Sequence, residues 1–395
     1  MPFFYASYLF KYMKINRLAI SSFFFFVGFL YANWVARLPE LQRLYDVSNA
    51  TLGTLLLCWA AGAIVSMPFA GWLTVVFGSQ RLTMITAWGF CLFAPMIPIF
   101  SNIWLIGGLF FFLGLNNGAL DVSINGQAVY VERKYGKPIM SSFHAVFSIG
   151  MSLGAGAGAL FAKLNVSLFT HLCIISALCA VLIAWATQHL IKDEVSNSEN
   201  TDAEGTPTEG GHTFRLPTKA ILPLGIIAFC AMTGEGSMAD WSAIYMNKTI
   251  GMSEAFSALA FGAFATAMTV GRIFGDYFIA KMGKRKVLIY SSLLSLLGLS
   301  LALVLPNAYI VLVGFFCVGL GLANVVPIVY STAGNTEGVT PSVGIAMATT
   351  IGYAGFFIGP PVIGFLADAF SLQMGLIFTL TLFVAMFFLV FKRQF

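Results

Sequence analysis

Twelve apolar runs, each long enough to cross a bilayer, fill this chain and divide six and six around one hydrophilic gap. A run of ~20 apolar residues matches the ~30 Å hydrocarbon thickness, and in lipid a helix satisfies every backbone N–H and C=O within itself. The runs read as helical spans at 16–38, 50–73, 81–100, 103–130, 139–162 and 167–190, then 220–245, 254–279, 286–304, 308–332, 342–366 and 371–391. The expectation is an all-α membrane protein of twelve transmembrane helices in two six-helix bundles, 1–190 and 218–395. Residues 191–217 join them. This stretch holds Asp193, Glu194, Glu199, Asp202, Glu204 and Glu209 among Ser, Thr, Asn and Gly, and reads as a disordered tether. Charged residues make up 9% of the chain and hydrophobic ones 58%, against ~25% and ~45–50% in soluble domains.

The net charge of +5 does not indicate a nucleic-acid surface, because the basic residues cluster by side of the membrane. Lys11, Lys14 and Arg17 precede or open the first span, Arg133, Lys134 and Lys137 follow the fourth, and Lys281, Lys284, Arg285 and Lys286 follow the eighth. With both termini cytoplasmic, 17 of the 21 Lys and Arg lie inside, and only Arg37, Arg43, Lys163 and Lys248 lie outside. That asymmetry is what the positive-inside rule requires. A multi-pass protein of a bacterial inner membrane, expected as a monomer, fits this reading. All six cysteines fall inside spans, none in a metal-ligand spacing, so they read as small apolar fillers. The first run is too long for a cleavable signal peptide and shows no small-residue cleavage pattern.

The halves carry traces of a repeat. Ala32-Asn33-Trp34-Val35-Ala36 matches Ala239-Asp240-Trp241-Ser242-Ala243, and Phe69 through Gly78 aligns without gaps to Phe274 through Gly283. Gly114-Leu115 and Asn117 echo Gly321-Leu322 and Asn324. Three matches in one order, 205 to 207 residues apart, point to duplicated bundles of the kind found in transporters.

On these residues the chain resembles the major facilitator superfamily. Gly275-Asp276-Tyr277-Phe278-Ile279-Ala280-Lys281-Met282-Gly283-Lys284-Arg285-Lys286 is similar to that family's signature loop; the first-half copy, Gly71 to Arg81, is degenerate and lacks an acid. Within the family the chain is most similar to the MosC-like branch, through Tyr31 to Pro39, Leu120 to Asn125, and Gly352 to Pro361. The resemblance implies two pseudo-symmetric six-helix bundles. It also implies an intracellular lock containing Asp276, Lys281 and Arg285. Arg272, one helical turn before Asp276, is placed to form a same-face ion pair with it.

Ionisable groups inside spans cost ~2.5–3.5 kcal/mol or more at helix centres, so each requires a reason. Asp121 stands among Leu120, Val122 and Ile124, and Asn117, Asp121 and Asn125 recur every four residues, on one helix face. Such a stripe belongs against water. With the hairpin turn between spans 4 and 5 centred near residue 133, His144 falls at a depth similar to Asp121 on the neighbouring helix. The pair reads either as a proton relay or as a static hydrogen bond. Fucose–proton symporters, another branch, resemble this chain in carrying an acid at the position of Asp121 and an Asn four residues on. They carry a second acid where this chain has Arg37, so their two-acid scheme does not transfer. Arg37 reads as an anion-binding or gating cation, or as a helix-end Arg snorkelling to headgroups.

The remaining polar residues within spans are cavity candidates: Asn33 and Trp34 in span 1, Glu235, Asp240 and Trp241 in span 7, Asn324 and Tyr330 in span 10, and Tyr353 in span 11. Trp34 and Trp241 read as interfacial anchors or as aromatic walls over a substrate. Gly150, Gly154 and Gly158, and the glycines around Pro360 and Pro361, read as close helix contacts. The latter stretch also resembles the family's antiporter motif.

There is no phosphate-binding loop, no HExxH and no soluble catalytic domain, so the chain reads as no enzyme, with no cofactor and no metal. The expected function is proton-coupled secondary transport of a small polar metabolite (a sugar, polyol or amino-sugar derivative) by symport or antiport. Its partners are substrate, protons and lipid. A drug or metabolite exporter is the alternative that the 39 Phe and 16 Met leave open, and a transport-dead sensor or scaffold is the alternative of another class.

Overall fold

The computed structural model describes residues 2–35, 37–46, 49–192, 218–252 and 254–392. The tether predicted at 191–217 lies, from residue 193 on, outside the described residues. The described residues form fourteen α-helices in succession and contain no strand. They are α1 Pro2–Val35, α2 Leu38–Tyr45, α3 Asn49–Phe77, α4 Ser79–Phe93, α5 Ile103–Tyr135, α6 Met140–Lys163 and α7 Leu168–Thr187. Then come α8 Leu222–Ile244, α9 Glu254–Met282, α10 Lys284–Val304, α11 Ala308–Leu322, α12 Val325–Gly334, α13 Pro341–Ala369 and α14 Leu372–Lys392. Counting α11 and α12 as one interrupted span and setting aside the short α2 gives twelve passes. Among the described residues, ten segments are long and apolar enough to cross a membrane on their own. α4, at 15 residues, gains its length from a 3-10 turn over Ala94–Met96.

The duplication inferred from sequence recurs in local structure. Gly78 joins α3 to α4 at φ 85°, ψ 147°, and Gly283 joins α9 to α10 at φ 83°, ψ 155°. Only glycine enters that region readily, so a single residue reverses the chain between two long helices in each half. Asn102 caps α5 by accepting from Trp104 N at 2.9 Å, and Asn307 caps α11 by accepting from Tyr309 N at 3.0 Å. Gly114 lets α5 approach α3: a Cβ there would stand 2.0 Å from the Trp59 carbonyl oxygen. Gly319 does the same for α11, 2.3 Å from the Phe264 carbonyl. These pairs are all 205 residues apart, whereas the sequence match had aligned Gly114 with Gly321. By the packing register the counterpart of Asp121 is Val326 rather than Ile328; both are apolar, so the second half still lacks an acid at this level.

Three helix ends differ from the sequence reading. α1 is helical back to Pro2 rather than starting at 16. α5 continues through Glu132, Arg133 and Lys134 to Tyr135, where Gly136 ends it in the left-handed region at φ 63°. Two basic residues in a last turn favour the helix C-terminus, which the reading of a charged turn at 132–134 overlooked. The span at 308–332 is broken at Ala323–Asn324, just ahead of Pro327, whose ring and missing N–H oppose a continuous helix.

The described chain forms two compact units. Unit 1 comprises Met1–Gly136, Val146–Thr218 and Gly334–Met347; unit 2 comprises Lys137–Ala145, Lys219–Ala333 and Ala348–Phe395. Each bundle thus takes in a short segment from the other half of the sequence.

Candidate substrate and coupling site

Asp121 lies in unit 1, 14 residues before the end of the 33-residue α5, or about 21 Å along it at 1.5 Å per residue. Its side chain is partly exposed. Asn125 donates its side-chain amide to Asp121 Oδ1 at 3.0 Å and to the Asp121 carbonyl at 2.9 Å. The four-residue spacing therefore does join these two, and Asn117, one turn earlier, is also partly exposed.

His144 belongs to unit 2. It follows the start of α6 by only four residues, about 6 Å. The hairpin turn lies at 136–139 rather than near 133. Within unit 2, His144 packs against Tyr330 of α12, with ring centroids 6.0 Å apart. It is also within electrostatic reach of Arg272 of α9. Arg272 Nη2 in turn stands 3.5 Å from Glu235 Oε1 of α8. α6, α8, α9 and α12 thereby contribute one largely enclosed polar cluster, which spacing along any single helix could not have shown.

Beside it runs a second polar contact. Asp276 Oδ1 accepts the Ser141 N–H at 2.9 Å and Oδ2 accepts the Ser142 N–H at 2.8 Å. The first N–H groups of a helix have no partner within it, so an α9 carboxylate caps α6 from outside. Gly275 permits the approach; a Cβ there would meet Asn324 Oδ1 at 1.8 Å and the Ser141 Cβ at 2.8 Å. Asn324, at the helix break, donates to the Gly271 carbonyl at 2.9 Å. Lys281 lies 5.8 Å from the centre of the Tyr277 ring, and Arg285 donates to the Phe391 carbonyl at 3.0 Å, near the end of α14. Lys284, which the sequence reading left in the background, reaches Ser331 Oγ at 2.8 Å.

Unit 1 holds a matching contact that sequence reasoning missed. Arg133, in the last turn of α5, donates to the Gly334 carbonyl and to Asn335 Oδ1, both at 2.5 Å. It had been counted only as one of the orienting cations.

The cavity candidates separate by exposure. Glu235, Trp241 and Tyr353 are partly exposed and Asp240 is exposed, all within unit 2. Asn33 and Trp34, by contrast, are 0% exposed and Arg37 is 4% exposed, so none of them offers surface to a substrate in this structure. Trp34 packs among Tyr31, Trp59 and Phe110 at centroid distances of 5.2–5.5 Å, and so is neither an interfacial anchor nor a cavity wall. Arg37 does not snorkel; it is held by Glu40, His171 and the Val166 carbonyl. Asn125, Asn324 and Tyr330 are enclosed too, each beside a partner already named.

Long apolar helices in two duplicated bundles, with polar side chains buried or turned to one another inside the spans, define a polytopic membrane transporter. A family model described as the Major Facilitator Superfamily matches residues 18–333 and 224–394. The chain belongs to that superfamily. It is 33% identical over 351 residues to an uncharacterized MFS-type transporter of Yersinia pestis, covering 89% of this chain and 88% of that one. It is 32% identical over 370 residues to the membrane protein MosC of Rhizobium meliloti, covering 92% and 87%. Two crystal structures of FucP, described as the E. coli fucose:proton symporter, superpose with TM-scores of 0.75 and 0.71 over 96% of this chain and 98% of theirs, at 15% and 16% identity. That last likeness is one of fold.

Proposed function

We propose that this transporter is proton-coupled and moves a small polar metabolite, a sugar, polyol or amino-sugar derivative, across a bacterial inner membrane by alternating access. Both termini are cytoplasmic in this reading, and the chain works as a monomer. The observation that carries it is Asp121, a partly exposed carboxyl midway along an apolar helix, held by the Asn125 amide. A carboxyl in that setting is costly unless it meets water, and its cost is understandable if it binds and releases a proton during transport.

Asn117 and Asp121 are assigned to proton and substrate within unit 1, and Glu235, Asp240, Trp241 and Tyr353 to substrate within unit 2. Glu235 is paired with Arg272 and the assigned residues include no Lys or Arg, so a neutral or zwitterionic substrate fits them better than a multiply anionic one. His144, Arg272 and Asp276, with Lys281 and Arg285, are assigned to the cytoplasmic gate, where Asp276 on the start of α6 has to let go when that side opens. His144 then senses the gate rather than relaying the proton of Asp121.

The test is uptake of a panel of sugars, polyols and amino sugars into proteoliposomes with an imposed pH gradient. A substrate that accumulates only with the gradient supports the reading. Uptake that merely equilibrates, whatever the gradient, would remove the proton from the account.

A further inference from the structure

Near the end of α1, four residues of unit 1 form a mostly buried polar chain that the transport reading does not use. Arg37 sits in the turn between α1 and the short α2. Its Nε donates to Glu40 Oε2 at 2.7 Å, Nη2 joins the same carboxylate, and Nη2 also donates to the Val166 carbonyl at 2.8 Å. Nη1 stands 3.4 Å from His171 Nδ1 at the start of α7. His171 Nε2 lies 2.8 Å from Asn33 Oδ1, and Asn33 Nδ2 donates to the Phe29 carbonyl at 2.7 Å, back in α1. The Phe161 ring of α6 stacks on the imidazole at 4.3 Å, and His171 is fully buried.

The chemistry of the chain fixes its direction. A guanidinium has only donors, so His171 Nδ1 must accept. The ring proton therefore sits on Nε2 and is donated to Asn33 Oδ1, which leaves the Asn33 amide to donate to Phe29. The imidazole is neutral, and every link runs one way. A second proton on Nδ1 would set a donor against the Arg37 donor and bring a second cation into an enclosed site. The charged groups acting on His171 are Arg37, from the α1–α2 turn, and Glu40, from α2. Glu40 is already engaged by Arg37, and α6 presents only the Phe161 ring.

We propose that the Glu40–Arg37–His171–Asn33 chain is a proton-responsive latch: the neutral imidazole fastens α2 and the 164–167 turn to the end of α1, and protonation of His171 releases them. α2 is tied at its other end by the Tyr45 hydroxyl, which donates to the Ile97 carbonyl. Release at Arg37 and Glu40 thus lets α2 swing about Tyr45. A purely packing role needs no titratable ring, and the assignment separates the two roles through His171→Gln. Glutamine offers one acceptor to Arg37 and one donor to Asn33 but takes up no proton in this range.

The experiment labels Leu44→Cys, exposed on α2, with an environment-sensitive fluorophore in full-length protein whose native cysteines are replaced. Emission is followed from about pH 8 to about pH 3.5, because the second proton must enter an enclosed site beside a guanidinium. A transition is expected in the otherwise native chain that His171→Gln lacks and that a label at Tyr290→Cys in unit 2 does not report. A transition that persists unchanged in His171→Gln, or none in the native chain, overturns the proposal. Should His171→Gln not fold, Glu40→Gln takes its place. It strips Arg37 of its counter-charge and is expected to show the low-pH emission already at pH 8, and native-like emission there overturns the proposal. No substrate or gradient enters this test, so its outcome is independent of whether transport is proton-coupled.

Discussion

Asp276→Asn isolates the cap that α9 places on α6. The carboxylate accepts two backbone N–H bonds, at 2.9 and 2.8 Å, from Ser141 and Ser142 in the first turn of a 24-residue helix. A hydrogen bond to a charged group contributes about 1.5–3 kcal/mol, and a negative charge at a helix N-terminus adds about 0.3–1 kcal/mol. Asparagine keeps one acceptor oxygen, so one bond and the charge are lost. Asp276 is partly exposed, which moves the total toward the lower part of that range, about 1.5–3 kcal/mol. Opening of the α6 start should then become ~10- to ~100-fold more frequent. Hydrogen exchange at the Ser141 and Ser142 amides reads this directly and should accelerate by that factor, while amides in the middle of α6 keep their rates. Unchanged exchange at those two amides would show that the carboxylate does not hold the helix end, and the gate assignment of Asp276 would fall with it.

Three further expectations follow from named contacts. Arg133→Gln should speed exchange across 334–347, because the guanidinium holds the end of α12 through Gly334 and Asn335, and should leave Ser141 and Ser142 untouched; equal rates in both proteins refute it. Gly114→Ala should lower the thermal midpoint of purified protein, at a cost of about 1–3 kcal/mol for overpacking, since the new Cβ would sit 2.0 Å from the Trp59 carbonyl oxygen. Gly156→Ala, with nothing within 4 Å, is the control that should not lower it. Tyr45→Phe should cost about 0.5–1.5 kcal/mol through loss of the bond to Ile97. Burial raises the Tyr45 phenol above its ordinary range, so this contribution is complete below about pH 10 and declines as pH rises further. A deficit in Tyr45→Phe that grows with alkalinity contradicts that sign.

What the sequence made legible was whatever repeats along one chain direction. Twelve apolar runs became twelve passes because lipid leaves the backbone little choice. The duplicated turn showed in Gly78 and Gly283, and the α5 stripe in the Asp121–Asn125 bond. What stayed hidden depends on which helices become neighbours. Arg272 had an acid one turn away at Asp276, yet it also meets Glu235 on a different helix, and Asp276 caps a helix 135 positions distant. His171 carried no signal at all: a single His near the start of an apolar run gives no hint that Arg37 and Asn33 converge on it. Arg37 and Trp34 were misplaced because polar and aromatic residues at a span end look alike whether they face water, headgroups or another helix. The turn between α5 and α6 was set a few residues too early, and at 1.5 Å per residue such shifts accumulate to a helical turn or more.

The central claim is that Asp121 carries the coupled proton, and substrate exchange measured beside uphill uptake tests it most directly. In proteoliposomes, Asp121→Asn should still exchange labelled for unlabelled substrate across the membrane, while accumulation driven by a pH gradient disappears; Asp121→Glu should retain part of it. Gradient-driven accumulation at the native level in Asp121→Asn would contradict the account.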